Sequence, residues 1–171
     1  LDCTYGATLG DAGFPPCEKT GAVFELAELA RVRVPAGLSS MGITVMDGPF
    51  FSALPHSGGL HSLSHVEHTP HAEFSSFSEA LNEIRVGPPP SRFEWMKRRA
   101  SLFVPDLAIA EYAGSDWEIK TVSAINNQDD GRPILISRSA EMPAYFNVIG
   151  GKLDNVYDAA AELKTYLNLG S

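Results

Sequence analysis

Three stretches of this chain hold residue types that can recognise or transform a small molecule. In Asp129-Asp130-Gly131-Arg132-Pro133 an arginine stands at the mouth of an extended run. There its rigid guanidinium fork can take a carboxylate through two parallel hydrogen bonds. The same side chain can instead pin its loop to Asp129 or Asp130, and the spacing leaves both roles open. Arg138, a few residues on, is a second candidate clamp. In Val148-Ile149-Gly150-Gly151-Lys152-Leu153-Asp154-Asn155 two glycines separate an apolar run from a helical one. A turn of that kind is either simply tight or exposes backbone N–H groups, at the positive end of a helix, to a phosphate or a polarised ring.

The five histidines, His56, His61, His65, His68 and His71, crowd into one segment. On an alternating strand His61 and His65 share a face and His68 has the opposite parity, so at most two should converge. No recognised metal-ligand spacing is present, and a metal site is not expected. A half-exposed hairpin is the simpler reading, with His56 as the member expected to line a substrate pocket. A hydrolase or metal enzyme built on this hairpin is the weakest of the functional readings. The chain has no Gly-x-Ser-x-Gly elbow, Walker loop, His-Glu-x-x-His or Gly-x-Gly-x-x-Gly fingerprint.

These residues must be positioned by elements that the pattern partly dictates. Val23–Val34 alternates, with Phe24, Leu26, Ala30, Val32 and Val34 on one side and Arg31 and Arg33 on the other, which predicts a long strand. Ile43–Met46, Phe50–Leu54 and Leu60–Val66 follow as extended runs, with Pro55–Gly59 as a turn, giving consecutive antiparallel strands. Ser75–Leu81 reads as a helical turn or a loop. After the stop at Gly87–Pro90, Ser91 with Glu94 forms a capping box for a helix over Ser91–Phe103. Tyr112–Ile125 is extended with a break at Gly114-Ser115-Asp116. Short strands at Pro133–Ile136 and Tyr145–Ile149 precede a last helix, whose buried stripe is expected to be Val156, Ala159, Ala160, Leu163 and Leu167. The fold class is α+β, an antiparallel-rich mixed sheet with flanking helices.

The 171 residues suffice for one domain with a core, or for one domain plus part of another. Thirteen Lys and Arg against 21 Asp and Glu leave a net charge of −8, which argues against a nucleic-acid surface. Lys97-Arg98-Arg99 is accordingly read as the solvated face of its helix. No apolar run reaches the ~20 residues of a membrane span. The opening Leu1-Asp2-Cys3-Thr4-Tyr5 carries no signal-peptide pattern and is read as a cut into a longer polypeptide. Two cysteines make no disulfide framework, and a cytoplasmic location is expected.

The order of several segments resembles the C-terminal, substrate-domain portion of FAD-dependent oxidoreductases of the D-amino-acid oxidase type. The carrying segments are Asp47-Gly48-Pro49-Phe50-Phe51-Ser52, then Leu63–His71, then Asp129–Leu135, then Gly150-Gly151-Lys152 with Asp154-Asn155. The resemblance implies that residues 1–19 are the exit strand and linker from a missing N-terminal FAD domain and that 20–140 form the substrate-binding domain. Residues 141–171 would be the returning strand, Gly-Gly turn and helix that complete a Rossmann-like FAD domain. It places Gly150, Gly151, Lys152 and Leu153 beside the flavin, with Lys152 where the family commonly has histidine. It puts Arg132 or Arg138 on the carboxylate of an amino-acid or 2-hydroxy-acid substrate, with an amine as the other substrate class it allows. Such a chain would turn nothing over alone, because flavin chemistry needs the cofactor positioned against the substrate. The alternative is a non-catalytic binding module derived from such an enzyme, forming a homodimer through its freed sheet face.

Overall fold

In the computed structural model, residues 22–46, 48–123, 134–149 and 155–167 are described, together with Leu1, Cys3, Thr4 and Ala7. The strands are β1 (Ala22–Arg33), β2 (Ile43–Val45), β3 (Phe51–Pro55), β4 (His61–His65), β5 (Pro70–Phe74), β6 (Glu111–Ser123), β7 (Leu135–Arg138) and β8 (Phe146–Ile149). The helices are α1 (Phe77–Val86), α2 (Phe93–Ala100) and α3 (Asn155–Tyr166). The chain divides into two compact units, one of residues 26–72 and 83–119, the other of 1–25, 73–82 and 120–171. The fold is α+β, and none of the described helices is long and apolar enough to cross a membrane.

The first unit is built on strand parity. The main sheet runs β2-β3-β4-β1-β5, with β6 also paired to β1. Registers are antiparallel, with Ala30 opposite Leu63, Phe51 opposite His65 and Thr44 opposite Ser52. The expected alternation in β1 and β4 holds. Ala30, Val32, Phe51, Ala53 and Leu63 point to one side, where Phe93, Met96 and Ala100 of α2 and Leu107 close the core. Each fully buried large side chain of this kind contributes about 1.5–3 kcal/mol.

Glu28 sits on that same inward face of β1 and is fully buried. One carboxylate oxygen accepts the hydroxyls of Ser91 and Ser115. The other accepts the Arg92 N–H at 2.8 Å and His71 Nε2 at 2.9 Å. Burial pushes the carboxyl up, but the bonds from Ser115, Ser91, Arg92 and His71 outweigh it and hold Glu28 below the usual carboxylate range. Burial holds His71 below the usual imidazole range despite the adjacent carboxylate, so the pair is a neutral donor to an anion.

That carboxylate changes the capping expected for α2. The helix starts at Phe93 and ends at Ala100, shorter than Ser91–Phe103. Ser91 Oγ does accept the Phe93 N–H at 3.0 Å, but Glu94 turns outward to Lys97 instead of reaching back. The negative group at the helix start comes from Glu28, far away in sequence, and it satisfies the Arg92 N–H and meets the positive helix end.

β6 is continuous, not broken at Gly114. Tyr112 stacks near Phe93 and its hydroxyl meets Ser115 Oγ at 2.8 Å, while Ser115 reaches Glu28. Gly114, between these two residues, has φ +127°.

In the second unit, α1 is a full helix where the sequence suggested a turn or a loop. Ser76 Oγ accepts the Glu79 N–H at 3.3 Å and Glu79 accepts the Ser75 hydroxyl at 2.8 Å, so Ser76-x-x-Glu79 was the start signal. Phe77 packs edge-on against Phe24. β7 and β8 form an antiparallel pair, with Ile136 opposite Val148, rather than the parallel neighbours of a dinucleotide-binding half. The stripe expected to be buried on α3 is not: Val156 is 61 % exposed, Ala160 and Leu167 are exposed, and Ala159 and Leu163 are half-buried. The helical period was correct, but among the described residues only Tyr166 makes a ring contact, with Phe146.

Removing the Glu28 carboxylate leaves its donors buried without an acceptor, so Glu28→Ala should lower the free energy of unfolding in urea by about 3–5 kcal/mol. Glu28→Gln should cost about 1–2 kcal/mol, because serine hydroxyls can reverse and accept from the new amide. Equal losses for the two variants would refute this account. The pH dependence has a sign as well. His65, His68 and His71 all titrate below the usual imidazole range in the fold. Stability should therefore begin to fall below about pH 6.5, where the unfolded imidazoles protonate first, and fall more steeply below about pH 4.3 as Glu28 is lost. Urea midpoints that stay flat from neutral pH down to pH ~4.3 would contradict it.

Candidate functional site

Opposite the core, the main sheet of the first unit presents a polar face. Residues directly across an antiparallel ladder share a side, so register alone assembles two rows. Arg31 lies opposite Ser62, which lies opposite Leu54. Ser64 lies opposite Ser52, which lies opposite Thr44. The Thr44 and Ser52 hydroxyls meet at 3.1 Å, and Ser62 donates to the Leu54 carbonyl.

The charged end of this face joins β1 to β6. Arg31 Nε lies 3.4 Å from Asp116 Oδ1, and His56 Nε2 lies 3.2 Å from Asp116 Oδ2. His56 follows β3, and its ring reaches Asp116 of β6. The other ring nitrogen, Nδ1, is 3.2 Å from Ser57 Oγ. An Asp–His–Ser chain of contacts therefore borders a guanidinium, with all three charged or titrating side chains about one third exposed. Gly114 makes room for it: a Cβ there would stand 2.7 Å from Arg31 Nη2. Chemically, this end offers a cationic fork, hydroxyl donors and acceptors, and an imidazole able to hold a proton.

Of the residues expected from sequence, His56 is in this group. Arg138 is exposed in the second unit, where Nε donates to the Pro143 carbonyl at 2.6 Å and the guanidinium lies over the Phe146 ring. Arg132 and Gly150, Gly151, Lys152 and Leu153 lie outside the described residues; β8 precedes the last four and α3 follows them. Sequence reasoning missed Arg31 and Asp116 as partners. The signal was their outward parity, but 85 residues separate them (116 − 31).

The other histidines are accounted for individually. His61 donates from Nε2 to the Met41 carbonyl at 3.0 Å. His71 serves Glu28. His65 and His68 converge against the parity expectation, because a turn at residues 66–69 interrupts the run. Their rings stack at 4.8 Å, and with Glu67 they form a group able to hold a metal ion. Burial holds both rings below the usual imidazole range.

No family model matches the chain, and no solved structure matches it. It is similar to the FAD-dependent monooxygenase FPY4 of Fusarium mangiferae, 31 % identical over 123 residues. That alignment takes in 68 % of this chain and 32 % of the relative, so the chain spans about one third of that protein. The likeness is thus to an FAD-dependent oxidoreductase in general and does not single out the D-amino-acid oxidase type.

Proposed function

We propose that this chain is the substrate-side part of an FAD-dependent oxidoreductase acting on an amino acid, an amine or a 2-hydroxy acid, and that the FAD-binding part is supplied by the rest of a longer protein. The observation that carries the reading is the 123-residue similarity to an FAD-dependent monooxygenase of which this chain spans one third. Two structural features support it. The polar face of the main sheet carries a half-exposed arginine beside an imidazole, and α3 keeps an exposed apolar stripe of the kind that a domain partner covers.

When bound, the flavin supplies the hydride- or electron-accepting ring. This chain supplies orientation. Arg31 offers its guanidinium to a carboxylate, and Asp116 keeps the fork in place while unbound. The Ser62, Ser64, Ser52 and Thr44 hydroxyls give the substrate donors and acceptors without adding charge. His56, with Nε2 toward Asp116, can exchange a proton at Nδ1 through Ser57 Oγ. Gly150, Gly151, Lys152 and Leu153 remain the proposed flavin-side turn, and Arg132 a second carboxylate clamp.

The purified full-length protein should carry flavin, seen as its visible absorption. Mixed anaerobically with panels of amino acids, amines and 2-hydroxy acids, it should be bleached by members of one class. Arg31→Met should then raise the half-saturating concentration about ten- to a hundredfold, the worth of a charge-assisted hydrogen bond. Gly114→Ala, which displaces the guanidinium without removing it, should give a smaller change in the same direction. A full-length protein without flavin overturns the oxidoreductase reading. Unchanged saturation in Arg31→Met overturns the assignment of this face.

A further inference from the structure

The turn joining β4 to β5 gathers three ligand-bearing side chains in four residues: one ligand atom each from His65, Glu67 and His68 lies within 4.8 Å of the others. Its backbone is fixed. The Thr69 and His68 N–H groups donate to the His65 carbonyl at 2.9 and 3.1 Å, and the His65 N–H donates to Thr69 Oγ1 at 2.9 Å. His68 is further flanked by Trp95.

Two atoms in this turn have no partner. Nε2 of His65 and Nε2 of His68 are both buried without a hydrogen bond, and His65 as a whole is 2 % exposed. Unpaired imidazole nitrogens in an interior are costly and call for an occupant. Two of them stacked beside a carboxylate form a donor set suited to borderline divalent ions.

We propose that His65, Glu67 and His68 bind one divalent transition-metal ion of the zinc class, with its remaining positions open to water. The site is independent of the flavin reading. Two features set its strength. Glu67 is held by Arg99 Nη2 at 3.3 Å, so ion and guanidinium compete for one carboxylate. His65 Nδ1 accepts the Glu67 N–H at 3.1 Å, which in the neutral ring leaves the proton on Nε2. Coordination through Nε2 therefore requires that ring to take its other tautomer and give up this bond, and the affinity should be below that of a closed four-ligand structural site.

Equilibrium dialysis of the purified protein against Zn²⁺, repeated with Co²⁺ for its visible absorption, tests this. One equivalent should bind, and Glu67→Gln and His68→Gln should each weaken binding at least about tenfold. Both side chains are partly exposed, and circular dichroism checks that the variants fold. Arg99→Ala frees the carboxylate and removes a repelling charge, so it should tighten binding about two- to fivefold. A purely structural role for the turn would not produce that gain. Absence of Zn²⁺ binding, binding indifferent to both ligand variants, or weaker binding in Arg99→Ala would each overturn the proposal.

Discussion

Glu28 is the constraint on which the first unit depends. A carboxylate in the middle of a strand, facing the core, is tolerable only when its lone pairs are filled. Here the donors come from Ser91 and Arg92 before α2, from His71 in β5 and from Ser115 in β6. One side chain therefore fixes where α2 begins, how β5 lies along β1, and which residue of β6 faces inward. Arg92 adds to the arrangement by donating its guanidinium to the Pro70 carbonyl. Without the anion the same donors would be an unpaired cluster, so the network is stabilising only as a complete set.

The inward network determines the outward site. Ser115 faces Glu28, and the next residue, Asp116, therefore faces the opposite side, where Arg31 of the same strand pair projects. A one-residue slip of β6 would exchange the two and break both contacts. Gly114, at φ +127°, lies between Tyr112 and Ser115, whose hydroxyls meet, and its missing Cβ gives Arg31 space. Two charge systems on opposite faces thus hold one register, and mis-setting either one costs both.

Much of the strand arrangement was legible because parity is local. Phe24, Leu26, Ala30 and Val32 in β1, and the alternating His61-Ser62-Leu63-Ser64-His65 in β4, announce their faces within a few residues. Glu28 was not legible as a buried anion, since it sits among apolar neighbours that mark a core but name no donors, and its partners are 43 to 87 residues away. Capping shows the same limit. Ser91 was recognisable, but the carboxylate that completes the helix start comes from β1 and not from Glu94. His65 and His68 were assigned opposite sides because the four-residue turn between β4 and β5 has no signal in alternation, and it is this turn that brings the rings together. In α3 the period revealed an apolar stripe, but periodicity cannot say whether anything covers it.

The two faces of the sheet differ in a way that bears on function. The inner face is filled by aromatic and aliphatic side chains against α2, with Glu28 and its donors as its polar element. The outer face carries serine and threonine rows ending in Arg31, Asp116 and His56. Hydroxyl rows satisfy one another or the backbone while unoccupied, as Thr44 with Ser52 and Ser62 with the Leu54 carbonyl do. They can also exchange those bonds for a ligand's at little cost, because a hydroxyl both donates and accepts. An apolar face would favour burial against another sheet, and a densely charged one would repel all but one kind of ligand. A hydroxyl surface with the Arg31 guanidinium at its edge would instead suit a small polar molecule, held by a fixed charge and otherwise by adjustable contacts, and that is the physical argument behind proposing this face for substrate.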